Sequence, residues 1–208
     1  MKRKILVATT NPGKIAELSA MLGGGAEWVS LSDFSGIGEI KEDGASFTEN
    51  AGKKAAGYAK ATGLWTIADD SGLVVDALGG EPGVRSARFS GAKEADRKLL
   101  DHKNMEKVLE LLEGVPTEKR TARFVCCLCL ASDKEILIET EGTLEGHITE
   151  KKRGENGFGY DPIFFVPKLN KTVAQLSREE KNKISHRGNA IRKLKPLLKR
   201  LLEGGQGR

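Results

Sequence analysis

The sequence predicts an α/β fold built on long central strands rather than a strictly alternating parallel sheet. Short apolar runs such as KILVA, LWTIA and RFVCCLCLA read as strands, and stretches with apolar residues at helical spacing lie between them. Size supports the same reading. The 208 residues, 38% of them hydrophobic, suffice to bury a sizeable core.

Taken in order, KILVA opens the chain as a strand, and TTNPGK leads into a helix whose Ile15, Leu18 and Leu22 share one face. EWVSL reads as a second strand. Ser46 with Glu49 forms a capping box ahead of an Ala- and Lys-rich helix that stops near Gly63. LWTIA and LVVDAL read as strands on either side of an acidic turn, Asp69-Asp70-Ser71-Gly72. A helix over Glu94 to Glu113 stops at Gly114-Val115-Pro116. ARFVCCLCLA and EILIET form an antiparallel hairpin around Ser132-Asp133-Lys134, and the Gly-rich RGENGFGYDPIFF follows. The last helix carries Ile191, Leu194, Leu197, Leu198, Leu201 and Leu202 on one face, with Pro196 inside it to bend or break it. Residues 1–203 are expected to form one domain and 204–208 a disordered tail.

Charged residues make up 30% of the chain, which together with the helical rhythm excludes a disordered protein. No apolar run is long enough to span a membrane. Only four apolar residues separate the basic start from Thr9, too few for a signal peptide, so a cytoplasmic protein is expected. The net charge of +5 is concentrated: Ser177 to Arg200 holds nine of the 34 Lys/Arg and two of the 29 Asp/Glu. Such a segment suits nucleic acid, a small polyanion such as a nucleoside triphosphate, or simply a solvated helix face. Cys126, Cys127 and Cys129 match neither a zinc knuckle nor a CxxC pair. They read as small apolar residues of a buried strand.

Four stretches carry chemistry. In TTNPGK, Asn11 caps a helix, Pro12 suits its first position and Gly13 admits a ligand to the backbone. Free N–H groups and a positive dipole end, with Lys14 beside them, make a phosphate site in chemical terms, and a well-capped helix with a surface lysine fits the same residues. Asp69 and Asp70 form either a solvated turn or a place for a cation or a reacting group. A hard cation such as Mg²⁺ takes one or two carboxylates and completes its shell with water and phosphates, and Asp70 with Glu42 is one such pair. In NGFGYDPIFF, Phe158 and Tyr160 lie between glycines as an aromatic face for a base, and Pro162 fixes the direction of Asp161. In EEKNKISHRGNAI, Ser185 caps the last helix, which puts His186 and Arg187 in its first turn. Cations there oppose the helix dipole, a conflict that points to a ligand. His102 and His147 carry no partner pattern and read as structural.

Together TTNPGK, EDGASFTENA, IADDSGL with LGGEPGVRSARFSG, GFGYDPIFF and SREEKNKISHRG resemble the inosine triphosphate pyrophosphatase family of non-canonical purine NTP pyrophosphatases. The segments run in register from Thr9 to Gly188. The resemblance implies a mixed, elongated central sheet flanked by helices, two lobes with a nucleotide cleft between them, and a homodimer using Mg²⁺. It implies hydrolysis of ITP, dITP and XTP to the monophosphate and pyrophosphate, with no nucleic-acid or membrane partner. By position, Thr9, Thr10, Asn11, Pro12, Gly13 and Lys14 hold the triphosphate. Asp70 is metal ligand or proton acceptor with Asp69 beside it, and Ser71 touches substrate. Glu42 is the upstream metal acid, with Glu39 as its alternative. Phe158, Gly159, Tyr160 and Asp161 bind base and sugar, Lys181 contacts phosphate, and His186 and Arg187 read the six-position oxygen of the purine. A pyrophosphatase of the related Maf-like kind with another base preference, and a nucleic-acid-binding module, are the competing readings.

Overall fold

A computed structural model describes residues 2–204. Its elements are β1 (Lys4–Ala8), α1 (Pro12–Leu22), β2 (Glu27–Ser30), α2 (Phe47–Thr62), β3 (Trp65–Val75), α3 (Arg97–Leu111), β4 (Thr121–Ala131), β5 (Ile136–Ile148), β6 (Phe164–Val166), β7 (Lys171–Thr172), α4 (Arg178–Ile184) and α5 (His186–Gly204), joined by short 3-10 turns. The strands form one seven-stranded sheet in the order β2-β1-β3-β4-β5-β6-β7. β1 runs parallel to β2 and β3, whereas β6 is antiparallel to β5 and β7, so the sheet is mixed. That is the α/β class expected. No helix among the described residues is long and apolar enough to cross a membrane.

The described residues divide into two compact units. The first comprises 2–70, 126–142 and 186–204, and the second 71–125 and 143–185. The core of the first joins Ile5, Ile67, Leu18 and Leu22 to Cys126, Leu128 and Leu130 and to Ile191, Leu194 and Leu198 of α5. The alternating even positions of β4 follow from the two-residue period of a strand. All three cysteines are buried and unbridged, as read from the sequence. Burial raises Cys126 well above the usual thiol value, Cys127 to about 11 and Cys129 to about 12, so all three stay neutral. The core of the second unit gathers Leu73, Val75 and Phe124 with Met105, Val108 and Leu112 of α3 and with Tyr160, Ile163 and Phe164.

Several local expectations need correction. The acidic turn does not exist: β3 runs without a break from Trp65 to Val75, through Asp69, Asp70, Ser71 and Gly72. Neighbouring strand residues project to opposite faces, so the two carboxylates are separated by the pleat rather than crowded into a bend. α3 is shorter at both ends, because the Asp96 carboxylate accepts from the N–H groups of Lys98 and Leu99 and so marks the start. β5 continues eight residues past Thr140, to Ile148. Gly142 within it is required by close approach, since a Cβ there would lie 2.2 Å from the His186 carbonyl oxygen and 2.4 Å from the Ala190 nitrogen. Ser46 caps α2 as expected, but the Glu49 carboxylate returns to the N–H of Ala45, one residue before the cap. Leu197 is 39% exposed, at the edge of the α5 stripe, and Pro196 does not end that helix. Gly204 closes α5, and the rest of the expected tail, 205–208, lies outside the described residues.

Candidate functional site

In the first unit, β1 delivers the chain into α1 through Asn11, whose Oδ1 accepts from the N–H groups of Gly13 at 2.9 Å and Lys14 at 3.3 Å. Asn11 N–H in turn donates to Thr9 Oγ1 at 3.2 Å. This corrects the expectation of free N–H groups here: the cap takes two of them and Pro12 lacks a third. What α1 offers a phosphate is its dipole and the side chains of Thr9, Thr10 and Lys14.

Beside this junction lies Asp69, 1% exposed. Lys14 Nζ forms an ion pair with it, and Arg187 donates to its Oδ2 through both Nε and Nη2 at 3.1 Å. Arg187 Nη1 donates to Glu17 of α1. Burial alone raises a carboxyl pKa, yet Arg187, Lys14 and Lys54 outweigh it and hold Asp69 well below the usual carboxylate range. Asp69 is therefore neutralised by the chain's own cations.

Asp70 is in the opposite condition. It is 5% exposed, and its Oδ2 accepts from Asn50 Nδ2 of α2 at 3.1 Å. Burial pushes it up to about 6, Glu42 adds to the rise, and Lys54 and Lys14 oppose it only in part. Asn50 Oδ1 also accepts from Gly44 N–H at 2.7 Å, tying the loop that carries Glu42 to the side chain that holds Asp70. Lys54 completes the group. Its Nζ donates to the Asp69 carbonyl oxygen at 2.6 Å and pairs with Glu42 at 2.8 Å. Burial works against its charge, but the Asp69 and Glu42 carboxylates raise its pKa on balance.

Arg187, expected from the sequence to read the six-position oxygen of a purine, is placed between two acids. It is 1% exposed, and the conflict with the α5 dipole is relieved by Glu17 and Asp69 rather than by a ligand-facing position. His186 precedes it, 7% exposed.

The second unit holds Ser71 and the Gly-rich loop. Asp161 Oδ2 accepts from Phe158 N–H at 3.0 Å and from Lys181 Nζ at 2.6 Å. Lys181 Nζ also lies 4.6 Å from the Phe158 ring centroid, within cation–π range. Lys181 thus pairs with a carboxylate here, where the sequence placed it against phosphate. Tyr160 belongs to the core, its hydroxyl donating to the Ser86 carbonyl at 2.8 Å, so the candidate aromatic face narrows to the half-buried Phe158. Gly159 N–H donates to Asp101 Oδ2 at 3.0 Å.

Glu17, Asn50, Lys54 and Asp101 were missed by sequence reasoning. For Asn50 and Lys54 a signal existed: they share a stripe of α2 with Ala51, Ala55 and Tyr58, so polar side chains recur on the buried face. No group of three or more His, Cys, Asp or Glu among the described residues is arranged to hold a metal. Two hard carboxylates, Asp70 and Glu42, nevertheless suit a cation that brings phosphate and water as its other ligands.

A buried acid of β3 held short of full neutralisation, with Lys14 of the β1–α1 junction and Lys54 of α2 beside it, fits a phosphate-handling α/β enzyme. The family follows from comparison: residues 5–197 match the Ham1 family, and the chain belongs to it. It is 48% identical to a dITP/XTP pyrophosphatase of Desulforamulus reducens, over 95% of this chain and 96% of that one. The Staphylococcus aureus Ham1 protein superposes with a TM-score of 0.82 at 43% identity, covering 98% of this chain and 100% of that one. A HAM1 protein from Coxiella burnetii does so at 0.84 and 40%, covering 94% and 98%.

Proposed function

We propose that the chain hydrolyses non-canonical purine nucleoside triphosphates (ITP, dITP and XTP) to the monophosphate and pyrophosphate, and so cleanses the nucleotide pool. The observation that carries this reading is Asp70: a buried carboxylate poised near 6, one peptide bond from an acid that is already neutralised. Relatives named dITP/XTP pyrophosphatase, at about half identity over nearly the whole chain, support the substrate class.

Water attacks the α-phosphorus, the bond from that phosphorus to the α–β bridging oxygen breaks, and pyrophosphate leaves with the bridging oxygen. Asp70, ionised above pH 6, accepts the proton of the attacking water. Thr9, Thr10 and Lys14 seat the triphosphate at the start of α1, on the turn that Asn11, Pro12 and Gly13 form, and Lys14 and Lys54 offset its charge. Asp70 and Glu42 are the residues that would hold Mg²⁺, which supplies Lewis-acid polarisation and charge neutralisation when bound. Asn50 sets the direction of Asp70, and Asp69 holds Lys14 in place. Ser71 touches substrate, Phe158 stacks on the base, and Gly159, Asp161 and Lys181 shape that loop. Residues 1–203 act as one functional domain, in a cytoplasmic homodimer.

Phosphorus NMR of the products tests the reading. Pyrophosphate with no early orthophosphate is expected from ITP, dITP and XTP, with loss of turnover in EDTA. Dominant orthophosphate, or undiminished turnover in EDTA, would overturn it.

A further inference from the structure

We infer that Asp101, on α3, is a positioning residue for recognition of the purine base. The inference rests on the reading of Phe158 as the base platform and deepens it.

The loop from Gly157 to Asp161 has consecutive N–H groups at Phe158 and Gly159. The first donates to Asp161, and the second donates to Asp101 Oδ2 at 3.0 Å, across 58 residues of sequence. The other oxygen of Asp101 faces Arg97 Nε at 3.0 Å, one turn earlier on α3, which fixes the carboxylate plane. Asp101 is 8% exposed, so little water competes for that acceptor. Backbone freedom at this loop is high by composition. Gly157 and Gly159 both have positive φ, at 80° and 61°, and a Cβ on Gly157 would lie 2.0 Å from Asp161 Oδ2. Two carboxylates from different elements therefore pin adjacent amides of a glycine-flanked loop, with the Phe158 ring held between those two attachments.

α3 holds a second loop in the same way. Asn104, 1% exposed, accepts from Ser90 N–H at 2.8 Å and donates to the Ala87 carbonyl at 3.3 Å. Tyr160 joins that segment through Ser86, whose Oγ in turn accepts from Leu73 N–H of β3 at 2.9 Å. The polar face of α3 thus works as a rigid bracket for both loops, and the Asp101 bond is the one made to the residue next to Phe158.

Asp101→Ala removes a charged acceptor, and with it the fixed position of Phe158. KM for ITP should rise about tenfold or more while kcat stays within about threefold. Inhibition by inorganic tripolyphosphate, which has no base, should not change. Asp101→Asn keeps an acceptor oxygen for Gly159 N–H and should restore KM to within about threefold of wild type. In the wild-type protein, independently of any variant, the Gly159 amide should exchange slowly with solvent deuterium. A fall in kcat at constant KM, a matching loss of tripolyphosphate affinity, or rapid exchange at Gly159 would each overturn the assignment. Phe158→Ala separates the two claims. Unchanged ITP binding in that variant defeats the base platform itself, whatever Asp101 does.

Discussion

Arg187 reaches a single oxygen of Asp69 twice, through Nε and Nη2 at 3.1 Å each, although 118 residues separate the two in the chain. With Glu17 on its remaining terminal nitrogen, the guanidinium sits between two acids in a buried site. Removing one member of such a group strands the others, at a cost of about 3–5 kcal/mol. Arg187→Ala is therefore expected to lower the melting temperature by on the order of 10 °C. It should reduce kcat/KM for ITP and for ATP by the same proportion. Melting curves and kcat/KM for both nucleotides check this. A change of more than about tenfold in the ITP-to-ATP ratio would return Arg187 to base recognition.

Asp70 gives a pH-dependent prediction of unusual sign. Its pKa is raised from 3.8 to about 6 in the folded protein, so the folded state holds the proton more tightly than the unfolded chain. Its ionisation has no effect on stability below pH 3.8. The destabilisation grows as pH rises through the folded value and is complete above about 6, where it amounts to about 3 kcal/mol. Asp70→Asn should therefore stabilise the metal-free protein at pH 8, with the gain vanishing near pH 4. Turnover should fall about a hundredfold or more. Urea titrations in EDTA at the two pH values, with turnover measured in saturating Mg²⁺, decide it. Near wild-type turnover would sink the catalytic assignment.

The proposed mechanism sets Lys14 against phosphate, which every triphosphate shares. Lys14→Ala should raise KM by about tenfold for ITP, XTP and ATP together, leaving base preference where it was. A base-dependent change in steady-state kinetics would place Lys14 elsewhere.

Gly142 tests the packing of α5 on β5. A methyl group at this position meets backbone, which cannot rotate aside as a side chain can. Gly142→Ala should cost about 1–3 kcal/mol or more, seen as a lower melting temperature. An unchanged melting temperature would show that α5 shifts freely.

What could be read from the sequence divides by the range of the interaction. The Asn11-Pro12 start of α1, the Ser46 cap and the Gly63 stop of α2 are local signals, and each stands in the structure. The buried cysteines followed from their neighbours in a single strand. Asp69 and Asp70 were found, but their setting was misread, because Asp-Asp-Ser-Gly has turn composition and here keeps an extended backbone. Their charges are satisfied by Lys14, Lys54, Asn50 and Arg187, which come from three different helices. No periodicity within a segment announces such a partnership. Asp101 is the extreme case, an ordinary acid in an ordinary helix until Gly159 is brought against it.

The unbroken course of β3 gives two chemically identical neighbours different principal partners. Asp69 answers to α1 and α5, through Lys14 and Arg187, while Asp70 takes its hydrogen bond from α2. A substitution at Asn50 of α2 can thus change the hydrogen bond to one carboxyl while the Arg187 and Lys14 pairs keep its neighbour an anion. A designer seeking a different pH optimum would start at Asn50, leaving the Lys14–Asp69 ion pair undisturbed.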